Sequence, residues 1–158
     1  MSLYAHQKRD NALWVVAFIL IAVLLIGMVV LSVKVMDKDN TKTVGAFAFE
    51  IGGLDEAGKE INDTSCIRLK KAINVDGLEI KIAEDANVEY SVFFFAVDEE
   101  GNETFVSSML ALAEDFDATS IPADADICRV VIEPTMDAEV GIFEINTYAK
   151  ELAISYNK

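Results

Sequence analysis

The chain has 158 residues and carries 13 Lys and Arg against 27 Asp and Glu, a formal net charge of −14. This balance argues against nucleic acid as a partner, because backbone phosphates repel it and no basic stripe offsets the repulsion. The single histidine, His6, stands in the N-terminal eleven residues, so the rest of the chain has no Ser-His or Cys-His pair for nucleophilic catalysis and no histidine-containing metal site.

Residues 1–11 read as a short polar tail. From Ala12 to Val33 the sequence ALWVVAFILIAVLLIGMVVLSV has 22 uncharged, almost wholly apolar positions. At about 1.5 Å of helical rise per residue this run spans roughly 30 Å, the hydrocarbon thickness of a bilayer. It predicts a transmembrane helix over residues 12–34, with Trp14, Phe18, Leu24, Leu25 and Gly27 among the residues facing lipid. The rival reading is a cleaved signal peptide, but its apolar core is typically about 7–15 residues, and no small-x-small site follows closely here. Gly27 is flanked four residues away by Val23 and Leu31, so no small-residue pair marks a helix dimer.

The positive charges flanking the run are nearly balanced. Lys8 and Arg9 precede it, whereas Lys34, Lys38 and Lys42 follow, interleaved with Asp37 and Asp39. From Thr43 onward there are 8 Lys and Arg against 24 Asp and Glu, a net of −16. A long domain with so few basic residues has little to retain it in the cytoplasm. The expected topology is therefore an N-terminus in the cytoplasm and an extracytoplasmic C-terminal domain, with membrane lipid contacting residues 12–34. At −16 that domain is repelled by anionic headgroups as a whole.

Residues 35–42 read as a polar stalk, and residues 43–158 are enough for one domain with its own core. The apolar segments there predict strands at Val44–Ile51, Cys66–Val75, Leu78–Ala83, Val88–Val97, Glu103–Leu110, Ala118–Ile121, Cys128–Glu133 and Val140–Tyr148. A polar loop is expected over Gly52–Ser65. Leu152-Ala153-Ile154 can make a terminal strand or a frayed tail. Asp76-Gly77, Glu100-Gly101-Asn102 and Pro122-Ala123-Asp124 supply turn chemistry between strands. Val88–Val97 (VEYSVFFFAV) becomes apolar on both faces toward its end, as a central strand covered on both sides does. The expected fold class is all-β, a jelly-roll β-sandwich of about eight antiparallel strands preceded by one transmembrane α-helix.

Several segments, in order, resemble a known family. They are Cys66-Ile67-Arg68-Leu69-Lys70, the hairpin Ile73–Ile82, Tyr90–Phe95 with the Asp98-Glu99-Glu100-Gly101 turn, and Ile121-Pro122 through Arg129 to Ile132. Together they resemble the jelly-roll, carbohydrate-binding-module-like (galactose-binding-like) domains of Gram-positive surface proteins and their phages. The resemblance covers under half the chain and implies fold more than activity. Sugar-binding members stack rings on exposed Trp or Tyr. Trp14 lies in the apolar run, which leaves Tyr90, Tyr148 and Tyr156 as the ligand-binding candidates, with Met109-Leu110 at the position usually held by an apolar aromatic.

The same resemblance makes the strands of Cys66 and Cys128 neighbours. Their side-chain parity argues against a bond. Cys128 shares a face with Val130 and Ile132 toward the core, and Cys66 shares one with Arg68 and Lys70 toward solvent. Two separate thiols are expected. Asp98–Glu103 is a candidate for Ca2+, but it lacks EF-hand spacing and reads better as a solvated hairpin tip. No cofactor is expected. Asn62-Asp63-Thr64 and Asn102-Glu103-Thr104 are formal glycosylation sequons. With 24 acids, carboxylate pairing carries no catalytic information.

The reading these features favour is a non-enzymatic, membrane-anchored extracytoplasmic β-sandwich that binds another protein or serves as an accessory subunit at the cell envelope. A cell-surface carbohydrate-binding module is the alternative. A long uncharged edge or face would favour the first, an exposed aromatic patch the second.

Overall fold

The computed structural model describes residues 20, 21, 23, 41–135 and 145–158. Leu20, Ile21 and Val23 are helical and exposed. No helix among the described residues is long and apolar enough to cross a membrane. Trp14, Phe18, Leu24, Leu25 and Gly27, the N-terminal tail and the stalk lie outside the described residues. From Thr41 the chain forms one compact unit.

That unit is an antiparallel all-β domain. Three strands, β1 (Thr41–Thr43), β11 (Leu152–Asn157) and β7 (Glu79–Ile82), form one sheet in the order β1-β11-β7. A larger sheet runs β2 (Phe49–Ile51), β5 (Ile67–Leu69), β10 (Ile127–Pro134), β8 (Val88–Val97), β9 (Glu103–Leu112), with β6 (Ile73–Asn74) also pairing β10. The two short strands β3 (Gly53–Leu54) and β4 (Glu60–Ile61) make a separate hairpin.

The main core lies between the two larger sheets. Ile80, Leu152 and Ile154 from the small sheet meet Phe49, Ile67, Leu69, Val88, Tyr90, Val92, Phe94, Cys128, Val130 and Ile132 from the large one. Alternate residues on each strand supply this face, as a period of two requires. The opposite face of the large sheet is also buried in its centre. There Leu54, Cys66, Phe93, Phe95 and Val131 form a second, smaller cluster. The two-sided burial expected of Val88–Val97 is therefore present. The run Phe93-Phe94-Phe95 divides between the clusters, with Phe94 in the main one.

Differences from the sequence reading have local causes. The expected strand Val44–Ile51 is interrupted by a 3-10 turn at Ala46–Ala48, closed by the Ala48 amide donating to Gly45 O at 2.9 Å. Cys66–Val75 is two strands, β5 and β6, which pair with opposite ends of the same strand β10, the break falling at Lys70-Lys71-Ala72. Ala118–Ser120 is a 3-10 turn and not a strand, because the Asp117 carboxylate takes the Thr119 amide at 2.9 Å and competes with ladder bonding. The last predicted strand is helical from Ile145: α1 (Ile145–Glu151) places Ile145, Tyr148 and Ala149 at helical spacing against the main core. Residues 140–144 of that prediction lie outside the described residues. The polar loop Gly52–Ser65 contains the β3–β4 hairpin.

Candidate interaction surfaces

Three regions of the surface carry unusual features. The first is the outer face of the large sheet. Arg68 on β5 pairs in register with Val131, and Arg129 lies two residues from Val131 on the same face. Arg68 Nε donates to Glu50 Oε1 at 3.0 Å, its Nη1 to Gly53 O at 3.0 Å and Ile61 O at 3.2 Å, and its Nη2 to Glu60 Oε2 at 2.9 Å. Arg129 Nη1 donates to Glu60 Oε1 at 2.8 Å and its Nη2 to Glu103 Oε2 at 2.9 Å. The Arg129 guanidinium also lies 5.8 Å from the centroid of the Phe95 ring, within cation–π range. Arg68 is fully engaged by this network and Arg129 through both Nη atoms, its buried Nε having no partner among the described residues; the effect is to strap the β3–β4 hairpin over Cys66, Phe93 and Phe95. It is a structural clamp. In the sequence Arg68 belongs to a strand motif and shares the solvent-side parity of Cys66. An arginine flanked by apolar residues in each of two strands, Ile67-Arg68-Leu69 and Cys128-Arg129-Val130, is the signal for a paired network.

The second region is β9. It is ten residues long, ends the strand order of the large sheet, and among the described residues pairs only with β8. Thr104–Ala113 has no charged residue, and Leu110 is 60% exposed. The pairing with β8 slips between Tyr90 and Val92 and again between Phe94 and Phe95, and Ala111 has a positive φ of 52°. The Ala111 amide donates to Ser91 Oγ at 3.2 Å across the first of these bulges.

The third region is the Ala46–Ala48 turn. Phe47 at its apex is 90% exposed. On one side lies a cleft of about 400 Å³ bordered by Val44, Leu69, Lys70, Lys71 and Tyr156. On the other lies a cleft of about 360 Å³ bordered by Phe49, Ile51, Lys70 and Ile145. The Lys70 amide donates to Ala48 O at 2.9 Å and its Nζ to Phe47 O at 3.2 Å, which fixes the turn with the ring outward. An aromatic within an apparent strand reads as core, and no spacing or residue type marks this exposure.

The three candidate tyrosines do not converge. Tyr90 is a correction to the ligand-binding set: its ring is fully buried in the main core, and its hydroxyl donates to Glu114 O at 2.7 Å. Burial raises its phenol to about 12, and the ring has no face to offer a sugar. Tyr148 is half-buried on α1 against the main core, and Tyr156 is half-buried on β11 beside Phe47.

The thiols are both free and both buried. Cys128 lies in the main core and Cys66 in the second cluster, on opposite faces of one sheet. The expectation that Cys66 faces solvent is corrected, because the β3–β4 hairpin covers it. Burial pushes each thiol up to about 12, with Asp63 and Glu133 adding to the effect at Cys66. At the Asp98 turn, Oδ1 accepts from the amides of Glu100 and Asn102, and Oδ2 from the Asn102 side chain. These bonds hold the carboxyl below its usual range and direct its oxygens into its own turn. Among the described residues no group of three or more His, Cys, Asp or Glu could hold a metal ion.

No family model, no curated protein and no solved structure matches this chain.

Proposed function

We propose that the chain is a non-enzymatic, membrane-anchored β-sandwich whose extracytoplasmic domain binds another protein at the cell envelope. The anchor is the apolar run over residues 12–34, and the fold is a jelly roll of the carbohydrate-binding-module-like type. The observation that carries the binding role is β9. A ten-residue edge strand with an uncharged stretch and a protruding Leu110 is a template for strand addition from another chain. Edge strands are ordinarily blunted by charge, and Thr104–Ala113 has none. The carbohydrate alternative is weakened by the buried ring of Tyr90 and the dispersal of Tyr148 and Tyr156.

A photoreactive amino acid at position 110 of the full chain, activated in intact membranes, tests this reading. The expected result is one discrete protein adduct, absent when the same probe replaces Glu99 at the opposite hairpin tip. The adduct is also expected to disappear when Ser108→Pro interrupts the edge in otherwise folded protein. Equal labelling from positions 110 and 99 would overturn it.

A further inference from the structure

The exposed ring of Phe47 has no role in the β9 surface or the arginine clamp. It projects from a turn fixed by two bonds to Lys70, so its exposure is built in. Among the described residues of the domain, the next most exposed large apolar side chain, Leu110, is 60% exposed against 90% for Phe47. Among the described residues, the charged ones bordering the larger cleft are Lys70 and Lys71, in a domain where acids outnumber bases three to one. The acid bordering the smaller cleft among the described residues is Glu50, and that carboxylate is bound by Arg68 at 3.0 Å. Lys42 stands opposite Tyr156 in the β1–β11 pair, and Tyr156 borders the same cleft. An outward aromatic beside lysines is the composition of a membrane-interface contact.

We propose that Phe47, Lys70 and Lys71 form a second membrane contact, in which the ring enters the headgroup region and the two ammonium groups meet lipid phosphates. This rests on the anchored reading of residues 12–34. Seven residues, Lys34–Asn40, connect that run to Thr41, and seven residues reach at most about 25 Å. Thr43, at the end of the entry strand β1, borders the Phe47 cleft. The net charge of the rest of the domain sharpens the effect. Acidic surfaces are repelled by anionic headgroups, and screening over about 8–10 Å separates them from the local lysine pair. The contact thus selects one orientation, holding the domain on the bilayer by the Phe47 end. A protein partner on Phe47 is the competing occupant; an outward ring beside Lys70 and Lys71 favours an anionic lipid surface.

Tryptophan fluorescence of the full chain in vesicles of phosphatidylcholine and phosphatidylglycerol, with and without brominated acyl chains, tests it. Trp14 is the only tryptophan, so the unmodified chain reports the anchor by itself. The double variant Trp14→Phe/Phe47→Trp reports the proposed contact from an exposed position that the fold does not need. The expected result is quenching of both, with the position-47 signal blue-shifted and quenched most by bromines near the headgroup. Adding Lys70→Ala and Lys71→Ala is expected to lower the docked-to-free ratio roughly thirtyfold, from two phosphate-facing lysines. Quenched Trp14 with an unquenched, red-shifted signal from position 47 would overturn the contact and leave the anchor standing. Unquenched Trp14 would overturn the anchor and the contact with it. Quenching at position 47 that is indifferent to the lysines would overturn the role given to them.

Discussion

Arg68 and Arg129, on neighbouring strands β5 and β10, are held by the two oxygens of one carboxylate: Glu60 Oε2 lies 2.9 Å from Arg68 Nη2 and Glu60 Oε1 lies 2.8 Å from Arg129 Nη1. Glu60 belongs to the β3–β4 hairpin, so this one residue ties the hairpin to the sheet. The Arg68 side chain is only 9% exposed, and it also satisfies the carbonyls of Gly53 and Ile61.

Replacing Glu60 by Ala is therefore expected to loosen the hairpin without unfolding the domain. Glu60 is half-exposed and each arginine keeps a second carboxylate, so the loss is about 1–2 kcal/mol, read as a lower urea midpoint. Arg68→Ala is expected to cost more, about 3–5 kcal/mol, because it strands buried acceptors and leaves a gap. Thiol modification separates local from global loosening. In the native protein both cysteines are expected to react only slowly, and Glu60→Ala to speed reaction of Cys66 roughly tenfold, the equivalent of about 1.4 kcal/mol of hairpin opening, with Cys128 unchanged. Equal acceleration of both thiols, or a disulfide between them in the untreated protein, would contradict this account.

Two turns of the same design make a controlled pair. Asp55–Lys59 and Asp98–Asn102 each place a glycine at positive φ, Gly58 at 73° and Gly101 at 85°, and each aspartate Oδ1 accepts two amides of its own turn. A Cβ at Gly101 would meet nothing within 4 Å, whereas one at Gly58 would lie 2.8 Å from the rings of Phe95 and Phe105. Gly101→Ala is expected to cost only the left-handed backbone penalty, about 1–2 kcal/mol. Gly58→Ala adds an overpacking cost of about 1–3 kcal/mol. Thermal melts of the two variants should differ by that second amount, and equal melting temperatures would show that the hairpin does not press on the rings.

Acid titration is expected to separate two carboxylates by sign. Glu133 sits opposite Glu89 in the β10–β8 register. Desolvation first, then the charges of Asp63 and Glu89, raise it above its ordinary 4.5. A raised carboxyl contributes stability that is fully present below 4.5 and is lost as pH rises through the raised value. Glu133→Gln should thus stabilise the domain at neutral pH and have no electrostatic effect well below 4.5. Asp98 is lowered by its bonds to Asn102 and Glu100, so its contribution is present above 3.8 and is lost as pH falls through the lowered value. Asp98→Ala should destabilise at neutral pH, the difference shrinking in strong acid. Urea midpoints from pH 2 to pH 7 check both, and parallel curves for the two variants would refute the assignment.

Residue patterning made a good part of this molecule legible. Val88–Val97 advertised its two-sided burial, because Val88, Tyr90, Val92 and Phe94 alternate with Phe93 and Phe95. The Asp98 turn announced itself through Asp, Gly and Asn. The parity of Cys128 with Val130 and Ile132 correctly placed it in the main core and separated it from Cys66. Failures came where a local bond outweighs alternation. Asp117 captures Thr119 and makes a turn from an apparent strand, and Ile145, Tyr148 and Ala149 satisfy a helix as well as a strand.

Composition and period by themselves determined the all-β class, the acidic balance and the apolar run over residues 12–33, since each depends only on residue type and spacing. The tertiary structure alone decided which residues meet across the chain. Glu60 and Arg129 are 69 positions apart, and nothing in their spacing brings them together. Cys66 is buried because a hairpin folds back over it, Phe47 is exposed because a turn is strapped to Lys70, and β9 ends the strand order among the described residues because strand order is not sequence order. Each of these is a long-range pairing, set by how the sheets stack, and it is there that the proposed binding surfaces lie.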